Sequence, residues 1–184
     1  MTQEQSQSTN SFAHPETIVS NLPIQVGSVV ADLGAGTGAF TIPLARTTGD
    51  RGKVYAVEIQ KELVGTLQQN ANKSGRRNIE VIWGDLERHG GTKLKDASCD
   101  VAFVSNTLFL IDDKQALFKE VARILKSHGQ LIIMEWKDSF SGLGPSAEHV
   151  VTEEVARTLI TSAGFSFNRS FQAGSHHYGM IFTK

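Results

Sequence analysis

Three acidic residues of this chain stand where a strand-like apolar run gives out. Asp32 closes Val29-Val30-Ala31, Glu58 closes Val54-Tyr55-Ala56-Val57, and Asp85 follows Val81-Ile82-Trp83-Gly84. Behind the first comes a run of alternate glycines, Gly34, Gly36 and Gly38, and then Ala39-Phe40, where a helix is expected. An apolar strand, a carboxylate, a glycine turn and a helix in immediate succession trace the chain path of a nucleotide-type cofactor site at the end of a parallel strand. Lacking a Cβ, the glycines let the chain turn sharply and let a ligand lie against the backbone.

The spacing discriminates between ligands. In the dinucleotide fingerprint the third glycine falls three residues after the second, and a pyrophosphate sits on the helix N-terminus. Here the glycines are evenly spaced and Asp32 stands two residues ahead of them. A carboxylate there repels a pyrophosphate and suits a ligand with an amino group or a sulfonium. S-adenosylmethionine carries both, and no phosphate. The stretch Asp32-Leu33-Gly34-Ala35-Gly36-Thr37-Gly38 resembles motif I of the class I S-adenosylmethionine-dependent methyltransferases, an acidic residue, any residue, then Gly-x-Gly-x-Gly. The resemblance runs from about Pro15 to the C-terminus.

That resemblance implies roles for the other acids. Glu58, at the end of the second strand, is the acid that accepts from the ribose hydroxyls. Asp85 accepts from the adenine amino group, and the Leu86 backbone N–H meets a ring nitrogen. Ser105 and Asn106, after the fourth strand, line the methionine part, together with the backbone of Gly34 and Gly36 and with Asp32 near the amino group. The family pattern extends the cofactor contacts to Ala35, Gly38, Ile59 and Gly84. The implied reaction is an in-line displacement in which a nucleophile attacks the sulfonium methyl and S-adenosylhomocysteine leaves. Such an enzyme mainly aligns two reactants and excludes water; it needs a general base only where the nucleophile must shed a proton.

No residue singles itself out as that base. Three segments are expected to border the methyl group: Thr107 to Asp113, Trp136 to Val150, and the turn between the last two strands. The turn carries His176 and His177, the candidate bases; Glu148 and His149 lie within reach of the same mouth. Phe109, Trp136 and Phe140 are candidates for an apolar wall.

The elements that must hold these residues alternate. After a short helix over 14–22, with Pro15 in its first turn, the strand of motif I leads into a helix from about Ala39 to Thr47. A strand follows over Lys53 to Glu58, then a helix from about Gln60 to Ser74 and a strand from Asn78 to Trp83. A fourth strand over Cys99 to Ser105 precedes a helix capped by Asp112 or Asp113, with Leu117, Val121, Ile124 and Leu125 inward, running through Lys126 to a stop at Gly129. Gln130 to Trp136 is the fifth strand, Thr152 opens the last helix, and two strands close the chain over Phe165 to Gln172 and Tyr178 to Thr183. Alternation predicts an α/β, doubly wound sandwich about a mostly parallel sheet. The short final connection makes the last strand antiparallel. The family resemblance implies seven strands in the order 3-2-1-4-5-7-6. Residues 1–11 are polar and without periodicity and read as a disordered tail; 12–184 reads as one domain.

Bulk properties narrow the partners. The 184 residues are 40% apolar and 20% charged, with a formal net charge of −1, so there is no overall basic balance to hold a nucleic acid. Arg76-Arg77 and Lys93/Lys95 are the local exceptions. The single cysteine, Cys99, excludes an internal disulfide and a cysteine-built zinc site. No apolar run reaches the length of a membrane span and no secretory signal is present, so the expected location is cytoplasmic. Absences relative to resembling families act on the substrate. There is no Asn-Pro-Pro-Tyr-type motif after the fourth strand, no Pro-Cys nucleophile, no acid at Ser105-Asn106 to hold magnesium, and too few cysteines for arsenite chemistry. The expectation is a methyltransferase for a small-molecule acceptor, without a metal, with a homodimer as one way of closing its site. A protein or RNA methyltransferase and a non-catalytic cofactor-binding partner subunit are the alternatives; a nicotinamide reductase is disfavoured by the glycine spacing.

Overall fold

Strands buried on both faces of a sheet read as continuous apolar runs, and the runs at Val30-Ala31, Val101 to Val104 and Leu131 to Met134 are almost entirely buried. The computed structural model describes residues 14–140 and 142–184; the tail expected over 1–11 lies outside the described residues. Four strands, β1 (Val29–Leu33), β2 (Lys53–Glu58), β3 (Ile79–Trp83) and β4 (Cys99–Ser105), are joined by β5 (Leu125–Trp136), β6 (Ser166–Gln172) and β7 (His177–Thr183). They form one sheet in the order β3-β2-β1-β4-β5-β7-β6. β1 to β5 pair in parallel, and β7 is antiparallel to both its neighbours. The expected topology is the observed one.

Two helical layers cover the sheet. Leu117, Phe118, Val121 and Ile124 of α4 (Lys114–Ile124), with Ala156 and Ile160 of α5 (Glu153–Ser162), pack with Leu33, Ala102, Leu131 and Phe182. On the other face Ile18 and Val19 of α1 (Pro15–Ser20) and Leu44 and Ala45 of α2 (Thr41–Thr48) pack with Val30, Phe103 and Ile132. Pro43 is tolerated in α2 because it falls in the first turn, where its missing N–H breaks no helical bond. Between β2 and β3 lies α3 (Lys61–Lys73), which buries Leu67 and Ala71. Asp113, not Asp112, caps α4, its Oδ1 accepting from the Ala116 N–H at 2.9 Å.

The boundary between α4 and β5 departs from the sequence expectation. The helix ends at Ile124; Leu125 is already extended, with φ −73° and ψ 137°, and pairs with Cys99. Leu125 is fully buried either way, so its apolar character extends the helical stripe in the sequence without deciding the backbone. The surplus residues bulge: Cys99 and Val101, two apart on β4, face Leu125 and Gln130 on β5, and His128 takes the left-handed conformation at φ 62°. His177, expected in the last turn, is the first residue of β7.

Candidate functional site

The carboxyl ends of β1, β2 and β4 lie level, Leu33 standing opposite both Val57 and Val104. The loops leaving that edge enclose a cavity of about 540 Å³. The glycine turn forms its floor. Gly34 and Ala35 both donate their N–H to Val57 O, at 2.9 and 3.0 Å, tying the turn to β2. Gly34 is at φ 77°, and a Cβ there would come 2.3 Å from Thr107 Oγ1; only glycine fits. Gly36, at φ 56°, has nothing within 4 Å of where a Cβ would stand, so its missing side chain leaves space open.

Glu58 is 6% exposed and held from three sides. Its Oε2 accepts from Gly36 N–H, and Oε1 accepts from Ile59 N–H and Gln60 N–H, all at 2.9 Å. The carboxylate thereby joins the glycine turn to the start of α3 and faces the cavity. Two carboxylate oxygens offer about four lone-pair sites, so with three N–H groups bound one site, on Oε2, is left for a ligand hydroxyl. Asp85 also lines the cavity, but it doubles as a turn residue: Oδ1 accepts from Glu87 N–H at 3.0 Å and Oδ2 pairs with Arg88 at 3.0 Å. Ala35, Ile59, Leu86, Ser105 and Asn106 complete the anticipated lining. Asn106 is at φ 52°, and its Oδ1 is buried without a partner.

Three anticipated contacts are elsewhere. Asp32 is 2% exposed and absent from the cavity wall; it accepts from Thr41 Oγ1 at 2.5 Å, fastening the start of α2 beneath the turn. Burial pushes its carboxyl up to about 7, against the Thr41 hydrogen bond, and the nearby Glu58 charge adds to the rise. Gly38, at φ 95°, gives room to Leu67, which a Cβ would meet at 2.7 Å, and Gly84 gives room to Gly91 O and Val57, both at 2.7 Å. These glycines serve packing around the cavity and do not line it. His176 and His177 also lie off its wall.

One buried acid beside the cavity escaped the sequence reading. Glu135, 1% exposed on β5, accepts from Leu108 N–H at 2.7 Å and Trp136 N–H at 2.8 Å, holding the 107–111 turn against the cavity. Burial raises its carboxyl to about 7, partly offset by those backbone hydrogen bonds and by Lys114. An acid inside the run Leu131-Ile132-Ile133-Met134-Glu135-Trp136 was the available signal.

Among the described residues Glu58, Asp85 and Glu87 line the cavity, and no lysine or arginine does. A family model described as a methyltransferase domain matches residues 24–164, more than half of the chain. The chain belongs to this methyltransferase family. A probable cobalt-precorrin-6B C(15)-methyltransferase (decarboxylating) from Sulfolobus acidocaldarius is 28% identical over 148 residues, 76% of this chain and 73% of its own. A demethylmenaquinone methyltransferase from Geobacillus stearothermophilus is 25% identical over 118 residues, 64% of this chain but only 49% of its own length. Among solved structures, a SAM-dependent methyltransferase from Aquifex aeolicus superposes with a TM-score of 0.86 at 27% identity, covering 94% of this methyltransferase and 90% of that chain. The cofactor of the family is S-adenosylmethionine. Among the described residues no helix is long and apolar enough to cross a membrane.

Proposed function

We propose that this methyltransferase moves a methyl group from S-adenosylmethionine to a small-molecule acceptor. The observation that carries the reading is the acid-lined cavity at the carboxyl ends of β1, β2 and β4. Its volume is within the range of small-molecule sites, and its charge suits an ammonium and a sulfonium while repelling a pyrophosphate. When bound, S-adenosylmethionine supplies a methyl group on a positively charged sulfur. Glu58 would hold a ribose hydroxyl, Asp85 and the Leu86 backbone the adenine, and the backbone of Gly34 and Gly36 with Asn106 the amino-acid end. Asp32 supports this set from below through Thr41, and Glu135 supports it from the side through Leu108.

The adjacent arginines Arg76 and Arg77 stand away from the cavity, whereas Lys61 and Lys93 lie over Trp83 beside it, at 4.8 and 5.1 Å from the ring. Arg76 and Arg77, with Lys53, line a separate hollow at the amino ends of β2 and β3, the edge opposite the cavity. A polyanion bound there stays a strand's length from the cavity. The two relatives named above are, by name, enzymes of precorrin and demethylmenaquinone, both small molecules. We assign the chain to the cytoplasm, with which its single cysteine is compatible. Calorimetric titration tests the cofactor assignment. S-adenosylhomocysteine should bind saturably and NADH should not; the reverse result sinks the reading.

A further inference from the structure

The hollow that holds Arg76 and Arg77 has a volume of about 650 Å³, and Asp50, Lys53, Gly75 and Asn78 also line it. It lies at the far end of α3 from the cofactor cavity. The helix starts beside that cavity, whose wall includes Gln60 and Leu63, and its thirteen residues carry the chain roughly 20 Å away.

The fold does not account for the two guanidinium groups. Among the described residues neither makes an ion pair or a side-chain hydrogen bond; the Arg76 contact is through its backbone N–H, to Ser74 Oγ. Nor are they needed to cap the helices that end here. At α2, Asn78 Nδ2 donates to Ala45 O and Gly49 O at 2.8 and 3.0 Å, and Gly27 N–H donates to Thr48 O at 2.8 Å. At α3, Ser74 N–H donates to Asn70 O at 3.0 Å and Gly75 N–H to Asn72 O at 3.1 Å. Asn78 Oδ1 is buried without a partner, so neither guanidinium is spent on it. Two neighbouring positive charges with no acid against them repel each other, and an anion bound by both removes that repulsion.

The wall also carries a group of opposite sign that stands apart. Asp50 lines the hollow and pairs with neither arginine, while Lys53 is taken by Glu80 at 3.0 Å. Donors and an acceptor therefore border one space without meeting across it. Gly75, at φ 69°, has nothing within 4 Å of where a Cβ would stand, so the rim beside the arginines is open.

We propose that this hollow is a second ligand site, taking the phosphate monoester of a small hydroxylated molecule, with the phosphate on Arg76 and Arg77 and a hydroxyl on Asp50. The planar fork of an arginine presents two parallel N–H donors to phosphate oxygens, and a monoester carries a charge of about −1.5 to −2 at pH 7. The volume is in the range of small-molecule sites. Asp50 repels a second phosphate, and a chain of net charge −1 has no field to hold a nucleic acid. The occupant is too far from the cofactor cavity to be the methyl donor or the acceptor, so the site stands independently of the methyltransferase reading.

The experiment is a nuclear magnetic resonance titration of ¹⁵N-labelled protein with ribose 5-phosphate, and separately with ribose, inorganic phosphate and a thymidine decamer. Ribose 5-phosphate should move the backbone amide signals of Gly75, Arg76 and Arg77 saturably, at least tenfold more tightly than inorganic phosphate, and ribose should move none of them. Arg76→Gln combined with Arg77→Gln should weaken that binding at least tenfold. The melting temperature and the S-adenosylhomocysteine affinity should stay as they are, because neither guanidinium is bonded within the fold. Asp50→Asn should narrow the ratio between ribose 5-phosphate and inorganic phosphate. The proposal is overturned if ribose 5-phosphate leaves those amides unmoved, or if the double variant binds it unchanged. Inorganic phosphate binding as tightly as ribose 5-phosphate overturns it as well, leaving an adventitious ion only. A decamer that binds more tightly than ribose 5-phosphate overturns the small-molecule class in favour of a nucleic-acid surface.

Discussion

At the sheet's carboxyl edge the acids that end β1 and β2 and the histidine that opens β7 treat buried polar groups in opposite ways, while Glu135 of β5 is held by backbone N–H groups as Glu58 is. In the inner half, at β1 and β2, the Glu58 oxygens take three backbone N–H groups and Asp32 takes a hydroxyl. In the outer half, at β5 and β7, His177 is buried with both nitrogens unsatisfied. The inner half is organised before any ligand arrives, largely by residues one to twenty-two positions apart in the chain. The outer half is put together from segments some forty residues apart, Trp136 and His177 among them, and it leaves the His177 nitrogens unpartnered.

The largest expected effect separates the halves by the sign of their pH dependence. Asp32 titrates near 7 in the fold against 3.8 unfolded, so the native state holds the extra proton. Its contribution to stability is full below about pH 4 and is lost as pH rises toward 7, by up to about 4 kcal/mol. His177 is lowered in the fold, so the unfolded state holds the extra proton and stability is lost as pH falls below about 6.5. Denaturant unfolding from pH 4 to 8 should show Asp32→Asn reducing the loss toward neutral pH and His177→Phe reducing the loss on the acid side. Glu135 shares the sign of Asp32, so the first slope shrinks without vanishing. Two variants with the same pH profile as the parent would remove the contrast.

Next in size is Gly34→Val. Left-handed backbone strain and overpacking against Thr107 together should cost about 3 kcal/mol or more and abolish S-adenosylhomocysteine binding. Gly142 is also left-handed, at φ 72°, but has open space around it. Gly142→Ala should therefore cost only about 1 kcal/mol of strain and leave the cofactor site intact, as thermal melts and calorimetry would reveal.

Glu58→Ala should weaken S-adenosylhomocysteine binding by about 1–3 kcal/mol, the range for hydrogen bonds to a charged group, or roughly 5- to 150-fold. Replacing His176 and His177 together should leave that affinity alone. Equal losses from the two would merge the halves into one site, and an unchanged Glu58→Ala affinity would discard the ribose assignment. Asp113→Ala, which removes the α4 cap, should be the mildest change. About 1 kcal/mol of stability should go, with ligand binding untouched in calorimetry.

Much of the inner half was legible because its signals are local. Positive φ at Gly34 and Gly36, a carboxylate one residue from the N–H it accepts, and alternating apolar runs are all written within short windows. Even there, residue type revealed importance more reliably than contact. Asp32, Gly38 and Gly84 were legible as special positions, yet they act through Thr41, Leu67 and Gly91 and do not line the cavity. Burial is a property of the finished sheet, and a short motif does not carry it.

The amino-acid sequence alone determined the order of strands and helices, the parallel sheet and the cofactor loop, because periodicity, glycine conformations and turn chemistry act over a few residues. Only the tertiary structure decided that Leu125 belongs to β5, that Glu135 braces the 107–111 turn, and that His177 leaves its expected turn for a buried place against Trp136. Each of those depends on which strand lies alongside, and strand neighbours are chosen by the closing of the whole sheet.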